Sequence, residues 1–183
     1  MSQLFPFRAL RPASAVASRV ASVPYDVVNT EEARALTAAE PLSFLRVTRS
    51  EVDLPAETNP YADAVYAQAV ANVEDLKRSA PMLIDDEPSL YFYRLTMNGH
   101  VQVGLGGCFS VDEYDRGLVK KHEKTRKDKE DDRTRHITEL RAQTGVVFLT
   151  YRNAPSVDRI TARVIATTPT VAFTAIDGIR HEL

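Results

Sequence analysis

Apolar positions recur with a helical period most clearly between Tyr61 and Arg78. Val65, Ala69, Val73 and Leu76 follow at steps of four, four and three, with Asp63, Glu74 and Asp75 on the polar side. A helix is predicted over residues 61–79. A second is predicted over 30–40, where EEARALTAAE follows Asn29 or Thr30 as the cap. Glu31 and Glu32 fall in its first turn, where the helix dipole favours negative charge, and Pro41 ends it. A third helix is expected over 126–143. Thr125 with Asp128 forms a weak capping box before it, Ile137 and Leu140 anchor its second half, and Gly145 closes it.

Between these helices the pattern changes to short strand-like runs. Leu90–Met97 and Val101–Val111 flank Asn98-Gly99, the strongest short-range hairpin signal. Tyr91, Phe92 and Tyr93 are expected to pack within that hairpin. Gly104, Gly106 and Gly107 in its second strand predict a bulge or a close backbone approach. Residues 4–10, SFLRVT at 43–48, Val146–Tyr151 and Arg159–Ala166 also read as strands, the third of them buried. Residues 16–23 read as a further short apolar piece, APMLIDDEP as a loop, and Thr167 onward as loop and tail. These elements predict one α+β domain over residues 1–183, a mixed sheet with three main helices.

Composition narrows the picture modestly. A net charge of −2 and an ordinary apolar fraction argue against disorder and against a general nucleic-acid binder. No apolar run approaches the length needed to cross a bilayer. The N-terminal stretch has Arg, Ser and Ala and no acid before Asp26, like a transit peptide, but Phe5, Phe7 and Leu10 read as a strand, so a cytoplasmic location is expected. Cys108, the only cysteine, excludes an internal disulfide and is expected to be a small buried side chain.

The exception to this even composition is KKHEKTRKDKEDDRTRH, Lys120 to His136. It holds eight Lys/Arg, five Asp/Glu and two His, and no Leu, Ile, Val or Phe. Part of it reads as a solvated helix face, with opposite charges four apart at Glu123/Lys127, Arg126/Glu130 and Asp131/Arg135. Other spacings bring like charges together, at Asp128/Asp132 and Lys129/Arg133. Arg126, Lys129, Arg133 and His136 fall on one face, a cationic stripe that repels itself unless an anion occupies it. Arg135 points away from that stripe. Two readings therefore stand, a solvated face and a site for a small anion. In the second, Thr125, Arg126, Lys129, Arg133 and His136 contact phosphate or carboxylate. His122 and Glu123, just before the helix start, are an acid–base pair or ligands to a phosphate-bound cation. Asp26 follows Pro24-Tyr25 in an apolar segment, where it either stabilises a turn or accepts a proton from a hydroxyl. The four histidines show no zinc-site spacing, and no nucleotide-binding glycine loop is present.

The charged string resembles, together with VPYDVV at Val23–Val28, the signature of the prokaryotic family called domain of unknown function 1015. PLSFLRVTRSEVDLP, LYFYRLTMNGH and TGVVFLTY extend the resemblance over essentially the whole chain. Members of that family are longer and carry an Asp-Gly-His-His-Arg segment in their second half, similar to the phosphate-handling motif of ParB and sulfiredoxin-like folds, including free-serine kinases. The chain ends at Leu183 without that segment, so the resemblance implies a fragment or a short form of the longer architecture. It implies phosphoryl transfer or phosphate handling on serine or phosphoserine, with ADP or ATP and Mg as candidate cofactors and Asp26, His122 and Glu123 as catalytic residues. The alternative it leaves open is a non-catalytic, ParB-like module for nucleotide or nucleic acid. A small anionic metabolite is the partner expected.

Overall fold

The computed structural model describes residues 2–122 and 124–183. The chain divides into two compact units, one drawn from Met1–Ser18, Met82–Glu123 and Leu149–Leu183, the other from Arg19–Pro81 and Lys124–Phe148. The α+β class holds. Among the described residues no helix is long and apolar enough to cross a membrane.

The first unit contains strands β1 (Leu4–Phe5), β2 (Leu10–Pro12), β3 (Met82–Ile84), β4 (Tyr91–Met97), β5 (His100–Gly106), β6 (Cys108–Phe109), β7 (Ala172–Thr174) and β8 (Arg180–Glu182). They form three sheets: β1 with β6, β2 with β3, and a four-stranded sheet in the order β5-β4-β8-β7. Every described pairing is antiparallel, rather than mixed as expected. Two of the three pairings in the larger sheet have a local reason: short turns join β4 to β5 and β7 to β8, and parallel strands would need a long crossover. At the first turn Asn98 and Gly99 take φ of 50° and 79°, the left-handed pair that matches strand twist. The glycine expectation also holds at Gly107, where a Cβ would sit 2.6 Å from Leu4 Cδ1 and 2.8 Å from Leu90 Cδ2.

Several expected strands are not strands. Arg159–Ala166 falls in a helix, Pro155–Ile165, with proline at its start where the missing N–H costs nothing. Val157, Ile160 and Val164 carry the helical period there. Val146–Tyr151 forms neither strand nor helix, and Val146 is 98% exposed. The expected tail instead folds: β8 pairs with β4, setting Glu182 opposite Arg94 and His181 opposite Leu95. Cys108 is exposed rather than buried, in a two-residue strand that pairs with β1. Arg94 donates two hydrogen bonds of 2.6 Å to the Glu182 carboxylate, and these hold that carboxyl below its ordinary range.

Numbered in chain order, the helices are α1 (Ala17–Val20), α2 (Thr30–Ala39), α3 (Leu45–Thr48), α4 (Asp63–Ser79), α5 (Val111–Asp115), α6 (Lys127–Leu140) and α7, the Pro155–Ile165 helix. The second unit is built from α2, α3, α4 and α6. Asn29 caps α2 in a complete capping box with Glu32. SFLRVT, expected as a strand, contains α3, because a short apolar run is compatible with either state until packing decides. Here Asn72 of α4 donates to the Arg46 carbonyl, and Ser50 just beyond α3 donates to the Val65 carbonyl. Leu45, Val47, Val65, Ala69 and Leu76 form the buried core around these bonds. α6 ends one turn earlier than expected, at Arg141 in a left-handed conformation with φ of 50°, rather than at Gly145.

Candidate functional site

The charged string is divided between the two units. His122 lies in the first and is exposed; Glu123 lies outside the described residues. Asp26, Thr125, Arg126, Lys129, Arg133 and His136 all lie in the second. The expectation that His122 and Glu123 act with Asp26 and the arginines is therefore carried forward only for the residues of the second unit.

The N-terminal turn of α6 is ordinary surface. Arg126 is the cap residue in extended conformation, and no side chain caps the helix, so the Thr125–Asp128 box does not form. Asp128 instead accepts from Arg126, and Asp131 accepts from Lys127 at 2.6 Å. These pairs are exposed, as the solvated-face reading requires, and such pairs contribute little to stability. Thr125 is exposed beside them.

One turn further on, the helix meets aromatic rings. Lys129 Nζ donates to the Tyr61 hydroxyl at 3.1 Å and lies 5.7 Å from that ring's centre; the bond raises the lysine pKa. Arg133 lies over Tyr25 with its guanidinium carbon 4.5 Å from the ring centre. The same guanidinium donates to Asp132 Oδ2 through Nε at 2.8 Å and pairs through Nη2 at 2.6 Å. Asp132 Oδ1 in turn accepts the Tyr66 hydroxyl at 2.7 Å. Tyr66 is a core residue of α4, and burial first, then this carboxylate, pushes its pKa up to about 12. A chain of contacts thus runs from the core through Tyr66, Asp132 and Arg133 to Tyr25. Arg133 keeps 29% of its side chain exposed, against 10% for Asp132.

The structure therefore separates the residues of the predicted stripe. Lys129 and Arg133, four apart on one face, are both held by tyrosines and both reach solvent. His136, on the same face, is 3% exposed. Its Nε2 lies 3.0 Å from the Val47 carbonyl and so donates to it, while Thr144 Oγ1 lies 3.3 Å from Nδ1. Burial lowers its pKa. It is a neutral core histidine whose two ring nitrogens are engaged. Arg135 does point elsewhere, but not into open solvent: it stacks 4.2 Å over Tyr66 and pairs with Asp63 at 2.8 Å.

Asp26 is exposed and directly follows Tyr25, in a turn closed by the Val27 N–H donating to the Pro24 carbonyl. Sequence reasoning missed Tyr25, Tyr61, Tyr66 and Asp132. Tyr25 stood inside a noted motif, but its contact with a residue far along the chain has no local signal. Asp132 looked like half of a like-charged pair with Asp128. Among the described residues no group of three His, Cys, Asp or Glu side chains is arranged to hold a metal ion.

A family model described as protein of unknown function (DUF1015) matches residues 4–183. No curated protein and no solved structure matches the chain.

Proposed function

The chain belongs to the DUF1015 family of proteins of unknown function, and from that premise we propose that its second unit handles a small phosphorylated metabolite, with serine and phosphoserine as the candidate pair. The observation that carries this reading is Arg133 held over Tyr25, with Asp132 fixing the guanidinium from the other side. A guanidinium kept in place by an aromatic face and a carboxylate loses little entropy on meeting an oxyanion, and its planar fork suits phosphate. Lys129 supplies a second cation four residues earlier, steadied by Tyr61. In this reading Lys129 and Arg133 hold the phosphate, Arg126 and Thr125 stay on the solvated turn before them, and Asp26 accepts a proton from a substrate hydroxyl.

Isothermal titration of the chain with phosphoserine, serine, ADP and ATP tests the proposal. Phosphoserine is expected to bind, and Arg133→Ala to weaken it by at least about tenfold, the loss of one charge-assisted contact. Absence of binding for all four compounds, or equal binding to the variant, overturns it.

A further inference from the structure

We infer that Asp132 sets the charge this site accepts, restricting it to a ligand with a single phosphate group, such as a phosphomonoester, and turning away polyphosphates. The inference rests on the phosphate-site reading above and narrows it.

Most carboxylates on α6 can move aside. Asp128 and Asp131 sit on the exposed surface, each bonded to a long side chain that is 77% exposed. Either pair can open when an anion arrives, at little cost. Asp132 cannot. Only 10% of its side chain is exposed, and both oxygens are engaged, Oδ1 by the Tyr66 hydroxyl and Oδ2 by Nε and Nη2 of Arg133. To leave, it would strand the hydroxyl of a buried tyrosine.

The carboxylate is therefore a permanent part of the site rather than a placeholder for the ligand. Where the phosphate lies, the fixed charge is two cations, Lys129 and Arg133, less the Asp132 carboxylate, and the Asp26 carboxylate proposed for the substrate hydroxyl adds a second negative charge. Arg133 also turns its Nε and Nη2 edge toward Asp132, so a ligand meets the remaining edge of the fork. An oxyanion bound on that edge has Lys129, one helical turn earlier on the same face, as its second cation. A second or third phosphate on the same ligand gains no further fixed cation and adds repulsion from Asp132. Repulsion placed in this way is how binding sites reject a better-charged competitor.

The experiment titrates inorganic phosphate, pyrophosphate and tripolyphosphate, without metal, into the wild-type chain, Asp132→Asn, Tyr66→Phe and Arg133→Ala. The wild type is expected to bind phosphate at least as tightly as tripolyphosphate. Asp132→Asn, which keeps an acceptor for Tyr66, is expected to reverse that order, with tripolyphosphate gaining at least about tenfold relative to phosphate. Tyr66→Phe keeps the charge and is expected to leave the order as in the wild type. Tripolyphosphate already tighter in the wild type overturns the inference, and that measurement stands even if Asp132→Asn fails to fold. A uniform change of all three affinities in Asp132→Asn also overturns it, while the phosphate-site reading survives. Anion binding unaffected by Arg133→Ala removes the site reading, and this inference with it.

Discussion

The two units are stabilised in different ways. Among the described residues, ten of the twelve buried apolar side chains belong to the second unit; Ala17 and Val171 are the two in the first. The first unit is held by backbone ladders and by arginine–carboxylate pairs across strands, Arg94 with Glu182 and Arg11 with Asp85. In those pairs the carboxylate takes the Nε and Nη2 edge, the same edge that Asp132 takes on Arg133, and Arg94 also donates through Nη1 to the Ile165 carbonyl. The second unit has such a pair too, Arg46 with Asp53, but its core is mainly apolar, and three cations of α6, Lys129, Arg133 and Arg135, sit against tyrosine faces. Arg133 uses only one edge on Asp132 and keeps the other. A count of charges along the chain does not separate these roles. What separates Arg94 from Arg133 is what the rest of the guanidinium meets, a backbone carbonyl for Arg94 and a tyrosine face for Arg133.

The sharpest test of this contrast is in the core of the second unit. Leu45 is 1% exposed, and Leu45→Ala is expected to cost about 3 kcal/mol through lost burial and the cavity left behind. Urea unfolding measures it, and a loss below about 1 kcal/mol would mean the site collapses without harm. Next in size, Arg94→Met in the first unit leaves Glu182 with only its longer, 3.3 Å pair to Arg180, at an expected cost of about 2 kcal/mol, since the Arg94 pair is only partly sheltered. A neutral result there would show that the first unit relies on its ladders alone.

Tyr66→Phe is expected to cost about 1.5 kcal/mol, the net worth of a hydrogen bond to a charged acceptor, while the fold stays intact by circular dichroism. The smallest effect near neutrality comes from pH. Burial holds His136 below its ordinary value of 6.5, so the folded chain keeps it neutral where the unfolded chain takes up a proton. Its contribution is complete above that value and is lost as pH falls through the depressed folded pKa. Thermal melts from about pH 7 down to about pH 5 should show falling stability, with a shallower slope in His136→Gln. The slope should not vanish, because burial also lowers His181 in the first unit. An unchanged slope would place the titrating group elsewhere.

Much of the architecture was legible because its causes are local. The capping box at Asn29 and Glu32, the left-handed turn at Asn98-Gly99, and the helical period through Val65, Ala69 and Leu76 each involve residues within one or two turns of one another. α7 was equally legible, through Pro155 and the spacing of Val157, Ile160 and Val164; the β-branched residues around them favoured the wrong assignment.

The rest is decided by contacts between distant residues. SFLRVT becomes a helical turn because Asn72 and the core around Leu45 fix it there, and the last residues become β8 because β4 offers an edge. The charged string was recognisable as a place where chemistry could occur, and its helix was predicted. Which of its cations stay available could not be read from it. Arg126, Lys129, Arg133 and His136 share one face in sequence, yet tertiary packing makes the first a surface pair, the last a core residue and the middle two a cation pair on tyrosines. A helix's period fixes the direction in which a side chain points, and the neighbouring elements fix what it meets there.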